Sequence, residues 1–200
     1  MGIDPPPLPS EEDVSIVPLT PSLVAELKAQ AAIALNGSEK SCSLRMLSTT
    51  CFAIEACARG APYSSMKLDM LMQHPFRWVA IGPGREFVGC VSAQEACRDG
   101  MRASLFPSLT TPPRALFLYN FCVAEAFRGK GVGRRLMNAV LNERGADHVY
   151  LMVDKLDPTE RDEDKRRLYE TRIRGLLERY ERMGFVHVTE CGMCHLMRHV

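Results

Sequence analysis

The run Arg128-Gly129-Lys130-Gly131-Val132-Gly133 falls where an apolar strand gives way to a helix, and it limits the possible folds more than any other stretch. Upstream, Leu116-Phe117-Leu118-Tyr119-Asn120-Phe121-Cys122-Val123 reads as a buried strand behind the breaker Pro112-Pro113. Downstream, Val132, Leu136 and Val140 recur at helical spacing, Met137 and Leu141 widen the same face, and Gly145 stands where a C-terminal cap is expected. His148-Val149-Tyr150-Leu151-Met152-Val153 then restores a strand. A glycine-rich turn at a helix start aims several backbone N–H groups and the positive end of the helix dipole at one spot. Arg128, Lys130, Arg134 and Arg135 add positive charge. The unit therefore reads as a pyrophosphate cradle.

Spacing separates the families that build such cradles. A P-loop needs Ser or Thr after its Gly-Lys pair, whereas Gly129-Lys130 runs into Gly131. A dinucleotide fold wants Gly-x-Gly-x-x-Gly and an acid about 20 residues on, but this chain offers Gly-x-Gly-x-Gly and little room for a doubly wound sheet. Arg128, Gly131 and Gly133 do satisfy Arg/Gln-x-x-Gly-x-Gly/Ala. Here the chain resembles the GNAT superfamily of N-acetyltransferases, whose motif A binds the pyrophosphate of acetyl-CoA. Leu176-Leu177-Glu178-Arg179-Tyr180-Glu181-Arg182-Met183-Gly184-Phe185 is similar to motif B, a helix ending in Tyr-x-x-x-Gly-Phe. The resemblance covers about residues 13 to 200, with its specific part between Phe117 and Phe185.

The resemblance implies an α/β fold, a mixed, twisted sheet of six to seven strands with helices on both faces. It also implies that acetyl-CoA is the co-substrate. Phe121, Cys122 and Val123 would offer backbone to its pantetheine arm, as an added strand does. Arg128, Gly129, Lys130, Gly131, Val132, Gly133 and Arg134 would hold its pyrophosphate. The acceptor would be a primary amine, on a small molecule or a protein, attacking the thioester directly, with the Val123 N–H facing the oxyanion. Tyr180 is the expected general acid for the departing thiolate, because a phenol with a pKa near 10 is protonated at working pH. Packing beneath the cofactor is the alternative role for that ring. Family members often carry a Glu or His base at the positions held here by Phe117 and Tyr119. Tyr119 is accordingly a weak base or water-holding candidate, with Glu125 and Asp154 as distant ones. A base-poor site leaves open a second reading, a CoA-binding regulatory or interaction module with weak catalysis.

The remaining sequence reads as a single domain over 13–200 behind a Pro-rich, disordered lead-in, 1–12. The expected elements are a strand at Val14–Val17, a helix from Thr20-Pro21 to Gly37, and helices at Leu44–Cys57 and Ser65–Met72. A hairpin follows, Phe76–Ile81 with Phe87–Ser92 over Gly82-Pro83-Gly84-Arg85, and then a loop at 95–113. Between Val153 and Tyr180 lie 26 residues, 154–179, against about a dozen usual in the family. The charged insertion, about 155–170, reads as a helix starting at Asp157-Pro158 with Glu160 at N3, either a solvated extension or a substrate lid.

A net charge of +1 gives no electrostatic case for nucleic acid or an anionic membrane. No stretch has the apolar length of a membrane span. Eight scattered cysteines without a secretory signal suit a reduced, cytoplasmic protein, monomeric or homodimeric. Cys191, Cys194, His195 and His199 have metal-ligand chemistry, but Cys194 and His195 point apart along a strand, so no metal is expected.

Overall fold

In the computed structural model, residues 13–36, 64–85, 87–95, 115–124, 127–143, 148–155, 161–191 and 194–200 are described. Strands β1 (Ser15–Pro18), β2 (Phe76–Ile81), β3 (Phe87–Glu95), β4 (Ala115–Val123), β5 (His148–Asp154), β6 (Phe185–Cys191) and β7 (Cys194–His199) form one mixed sheet. Its order is β1-β2-β3-β4-β5-β7-β6. The helices are α1 (Pro21–Asn36), α2 (Ser64–Met72), α3 (Val132–Leu141) and α4 (Glu163–Glu181). The chain clusters into two compact units, Met1–Ala93 with Asn120–Asn142, and Gln94–Tyr119 with Glu143–Val200. Strand β4 contributes to both.

In the first unit, Thr20 caps α1 as expected, its Oγ1 accepting the Leu23 N–H at 3.3 Å, with Pro21 in the first helical position. The β2–β3 turn closes on an Arg85 N–H to Gly82 carbonyl bond of 2.9 Å, and β3 runs on to Glu95, past the expected Ser92. The ladder carries a bulge: Ala80 pairs with Gly89 and Ile81 with Phe87, so Val88 is the extra residue. As a result Phe87 and Cys90, three apart, enter the same core cluster with Leu19, Val24 and Leu27 from the α1 side and Leu68 and Leu71 from α2. Gly89 faces the other way, toward Leu136 of α3. Val132, Leu136, Met137 and Val140 are the buried stripe of α3. At about 1.5–3 kcal/mol per buried side chain, that stripe outweighs the roughly 1 kcal/mol of a side-chain cap, so α3 can begin on a glycine. It ends earlier than Gly145 suggested: Asn142 is the C-cap, its N–H bonded to the carbonyls of Asn138 and Val140.

In the second unit, β4 and β5 pair in parallel from Ala115↔His148 to Phe117↔Tyr150, and β4 continues to Val123. Ala115, Phe117, Tyr150 and Leu196 form the local core, with Tyr119 and Val188 packed against it. Helix α4 starts on Asp162, whose carboxylate accepts the N–H groups of Asp164 and Lys165, both at 3.1 Å. No residue of α4 is fully buried, and Tyr169, Ile173, Leu176, Leu177 and Tyr180 make a half-buried stripe. Glu163 meets Arg167 at 3.8 Å, an i,i+4 pair of the favourable acid-first orientation. Gly184, at φ 92°, turns the chain into β6. The expected lead-in at 1–12, the helix at Leu44–Cys57, most of the 95–113 loop, Glu125, Gly145 and the Asp157-Pro158-Glu160 start lie outside the described residues.

Candidate active site

Strand β4 ends at Val123, and the chain turns at once. The Ala124 N–H goes to the Val88 carbonyl at 2.8 Å, so the bulge in β3 anchors the end of β4. Phe127 N–H then closes a turn on the Ala124 carbonyl at 2.9 Å. Gly129 and Gly131 both take positive φ, 77° and 74°, where a side-chain-bearing residue is strained. Gly131 is the N-cap of α3, and its carbonyl accepts the Arg135 N–H at 3.1 Å. No side chain caps this helix start, and no acidic residue stands in its first turn. Among the described residues, the first-turn amides, which by helix geometry have no intrahelical acceptor, meet no capping side chain and no acid of their own turn. Diphosphate chemistry fits here: N–H donors, a helix dipole and Arg134 at the opening turn.

The two basic residues of the loop hold it as much as they charge it. Arg128 Nε donates to the Val123 carbonyl at 3.0 Å, tying the loop back to the strand. Lys130 Nζ lies 5.4 Å from the centroid of the Phe127 ring, a cation–π contact. On β4, Phe121, Cys122 and Val123 are all half-buried. Cys122 packs against the α1–α2 core with its sulfur 3.4 Å from that of Cys90, the placement of a small hydrophobe rather than a nucleophile.

The two tyrosines singled out from sequence both belong to the second unit. Tyr119 is half-buried, and its phenol oxygen accepts the Gln94 side-chain amide at 2.6 Å. Gln94 is a partner that sequence reasoning missed, because no local spacing links residues 25 apart. Phe117, the other position where the family resemblance leads one to look for a base, is buried in the core. Tyr180 is half-buried, its ring 5.9 Å from Phe185 in an edge contact, and Phe185 in turn meets His199 at 5.3 Å.

A parallel strand pair, β4 and β5, with a glycine-started helix between them in sequence is the arrangement of an α/β fold with an anion-binding turn. A family model for the acetyltransferase (GNAT) domain matches residues 76–187, and the chain belongs to that family of acetyltransferases. Solved structures with the same fold include a protein of Pyrococcus horikoshii OT3, with TM-score 0.53, 19% identity, and 93% of this chain and 97% of that one covered. An aminoglycoside 6'-N-acetyltransferase complexed with coenzyme A gives TM-score 0.50 and 16% identity over 92% and 95% of the two chains. The ribosomal-protein-S18-alanine N-acetyltransferase of Escherichia coli gives TM-score 0.50 and 12% identity over 93% and 92%. No curated protein matches the sequence significantly. No described helix is long and apolar enough to cross a membrane.

Proposed function

We propose that this chain is an N-acetyltransferase that moves an acetyl group from acetyl-CoA to a primary amine by direct attack, with 13–200 as its acyltransferase domain. The observation that carries the reading is the start of α3, a positive-φ glycine N-cap with no capping side chain and no acid in the first turn. Acetyl-CoA supplies the activated acetyl thioester. The amides around Gly131–Arg134 hold its diphosphate, and the backbone of Phe121–Val123 runs beside the pantetheine arm. The Ala124 N–H is already given to Val88, so the Val123 N–H is the donor assigned to the acyl oxygen. Tyr180 gives the proton from its Oη to the departing sulfur, a role taken from its place in motif B. Tyr119 is the candidate to hold a water for the incoming amine, a role taken from its position on the strand that enters motif A, and its oxygen accepts from Gln94.

Calorimetry with CoA, followed by thiol release over a panel of small and peptidyl amines, tests the reading. Gly131→Val forces a β-branched residue to φ 74°, so CoA affinity should fall by more than ~10-fold, the equivalent of about 1.4 kcal/mol. Near-normal affinity in that variant would remove the cradle from the site. Binding of CoA without thiol release for any amine would instead favour the catalytically weak module, a reading supported by the buried Phe117 where the family resemblance leads one to look for a base.

A further inference from the structure

We propose that His187, Glu190 and His195 form a site for a divalent transition-metal ion, best matched by Zn2+, on the β6–β7 hairpin. The sequence argues against such a grouping. Positions 187 and 190 are three apart, so a regular strand would send their side chains to opposite faces. The ladder is not regular: His187 pairs with Met197, Thr189 with Leu196 and Glu190 with His195, leaving Val188 as a bulge. The bulge restores His187 to the face of Glu190 and His195.

The geometry is already close to that of a bound ion. His195 Nδ1 lies 3.4 Å from His187 Nε2 and 3.7 Å from Glu190 Oε1, and all three donor atoms fall within 4.8 Å of one another. A tetrahedral ion with bonds of about 2.0–2.1 Å separates its ligand atoms by roughly 3.3–3.5 Å. The edge between the two histidines therefore fits as it stands, and side-chain rotation of the exposed Glu190 can close the other two. Two imidazole nitrogens and a carboxylate oxygen are the donor set of His2Glu zinc sites, and soft-ligand or all-oxygen ions match it less well. The other oxygen of Glu190, Oε2, is held by Lys155 Nζ at 2.5 Å. That bond orients the carboxylate, as hydrogen bonds to metal-bound carboxylates do.

His195 Nδ1 and His187 Nε2 face one another, and whichever of them carries an N–H can pass it to its ring's other nitrogen by tautomer exchange, which leaves a lone pair for the ion. His187 and Glu190 are exposed, which gives the ion a route in and leaves its fourth position to water. The half-buried Cys194 alternates to the opposite face from His195 and is not a ligand. A bound ion would clamp β6 to β7 across the bulge.

The test uses untagged, chelator-treated full-length protein with Zn2+ or Co2+ alone as the probe. One equivalent of Co2+ should give the visible spectrum of a tetrahedral nitrogen–oxygen site, and Zn2+ should displace it. His187→Gln and Glu190→Gln, both at exposed positions, should each weaken Zn2+ binding by more than ~10-fold while both variants remain folded in chelator by circular dichroism. Failure to bind Co2+ or Zn2+ would overturn the site. So would undiminished affinity in both variants, or a thiolate-to-cobalt charge-transfer band, which would place the ion on cysteine.

Discussion

Replacing Gly89 by alanine puts a methyl group into a close approach between β3 and β4. An ideal Cβ there lies 2.5 Å from the Cys122 carbonyl oxygen, 3.2 Å from Val123 Cα and 3.3 Å from Leu136 Cδ1. The side chain of Leu136 can yield, but the other two atoms are backbone, so β4 itself must move. Overpacking costs about 1–3 kcal/mol when side chains absorb it, and a backbone shift places this case near the upper end. For a chain of this size each kcal/mol moves the melting temperature by roughly 2–4 °C, so a fall of about 6–12 °C is expected by thermal unfolding. The displaced residues are those assigned to the pantetheine arm, and CoA affinity measured by calorimetry should fall as well. Gly175→Ala is the matched control. Nothing lies within 4 Å of its added methyl, and helix propensity alone should raise stability by about 0.5–1 kcal/mol. A Gly89→Ala protein that melts within ~2 °C of the parent and binds CoA normally would refute the close-approach argument.

Tyr180→Phe keeps the edge contact with Phe185 and removes only the phenolic proton, so turnover should drop about 10²–10⁴-fold with CoA affinity little changed. Equal loss of binding and turnover would make the ring a packing element. Asp162→Ala removes a cap with two N–H partners and should cost about 1 kcal/mol, but the first turns of α4 are exposed. The loss should therefore show as faster amide exchange at Asp164 and Lys165 more than as a lower melting temperature. Burial lowers the folded-state pKa of His195 from 6.5, so the unfolded chain takes up the proton first. Stability of the metal-free protein should decline as pH falls below about 6.5 and level off beneath the folded value, and His195→Gln should flatten that slope. Glu190, lowered mainly by its hydrogen bond from Lys155, contributes stability above 4.5 that is lost as pH falls through its folded value. A melting temperature that rises on acidification from pH 7 would contradict both assignments.

The glycine loop and α3 are legible because their signals are local. Val132, Leu136 and Val140 mark the buried face, Arg128, Gly131 and Gly133 mark the turn, and Thr20-Pro21 marks the start of α1 in the same way. The end of α3 was not legible: the structure caps it at Asn142, while glycine at 145 suggested a later stop. The start of α4 on Asp162 competes in the sequence with Asp157, since both are acidic residues ahead of a charged run. Tertiary pairings left no trace at all. The bond from Gln94 to Tyr119, and that from Arg128 to the Val123 carbonyl, depend on how strands align and not on spacing. The grouping of His187, Glu190 and His195 was hidden for a sharper reason, because strand alternation predicts its absence and only the bulge at Val188 creates it.

Val88 makes the length of β3 part of its information. A substitution there changes one side chain, whereas a deletion removes the bulge itself. Phe87 would then stand two residues from Cys90 and keep their shared face by ordinary strand alternation. What would be lost is the carbonyl that receives the Ala124 N–H at 2.8 Å. The lesion would be felt where β4 hands the chain to the glycine loop.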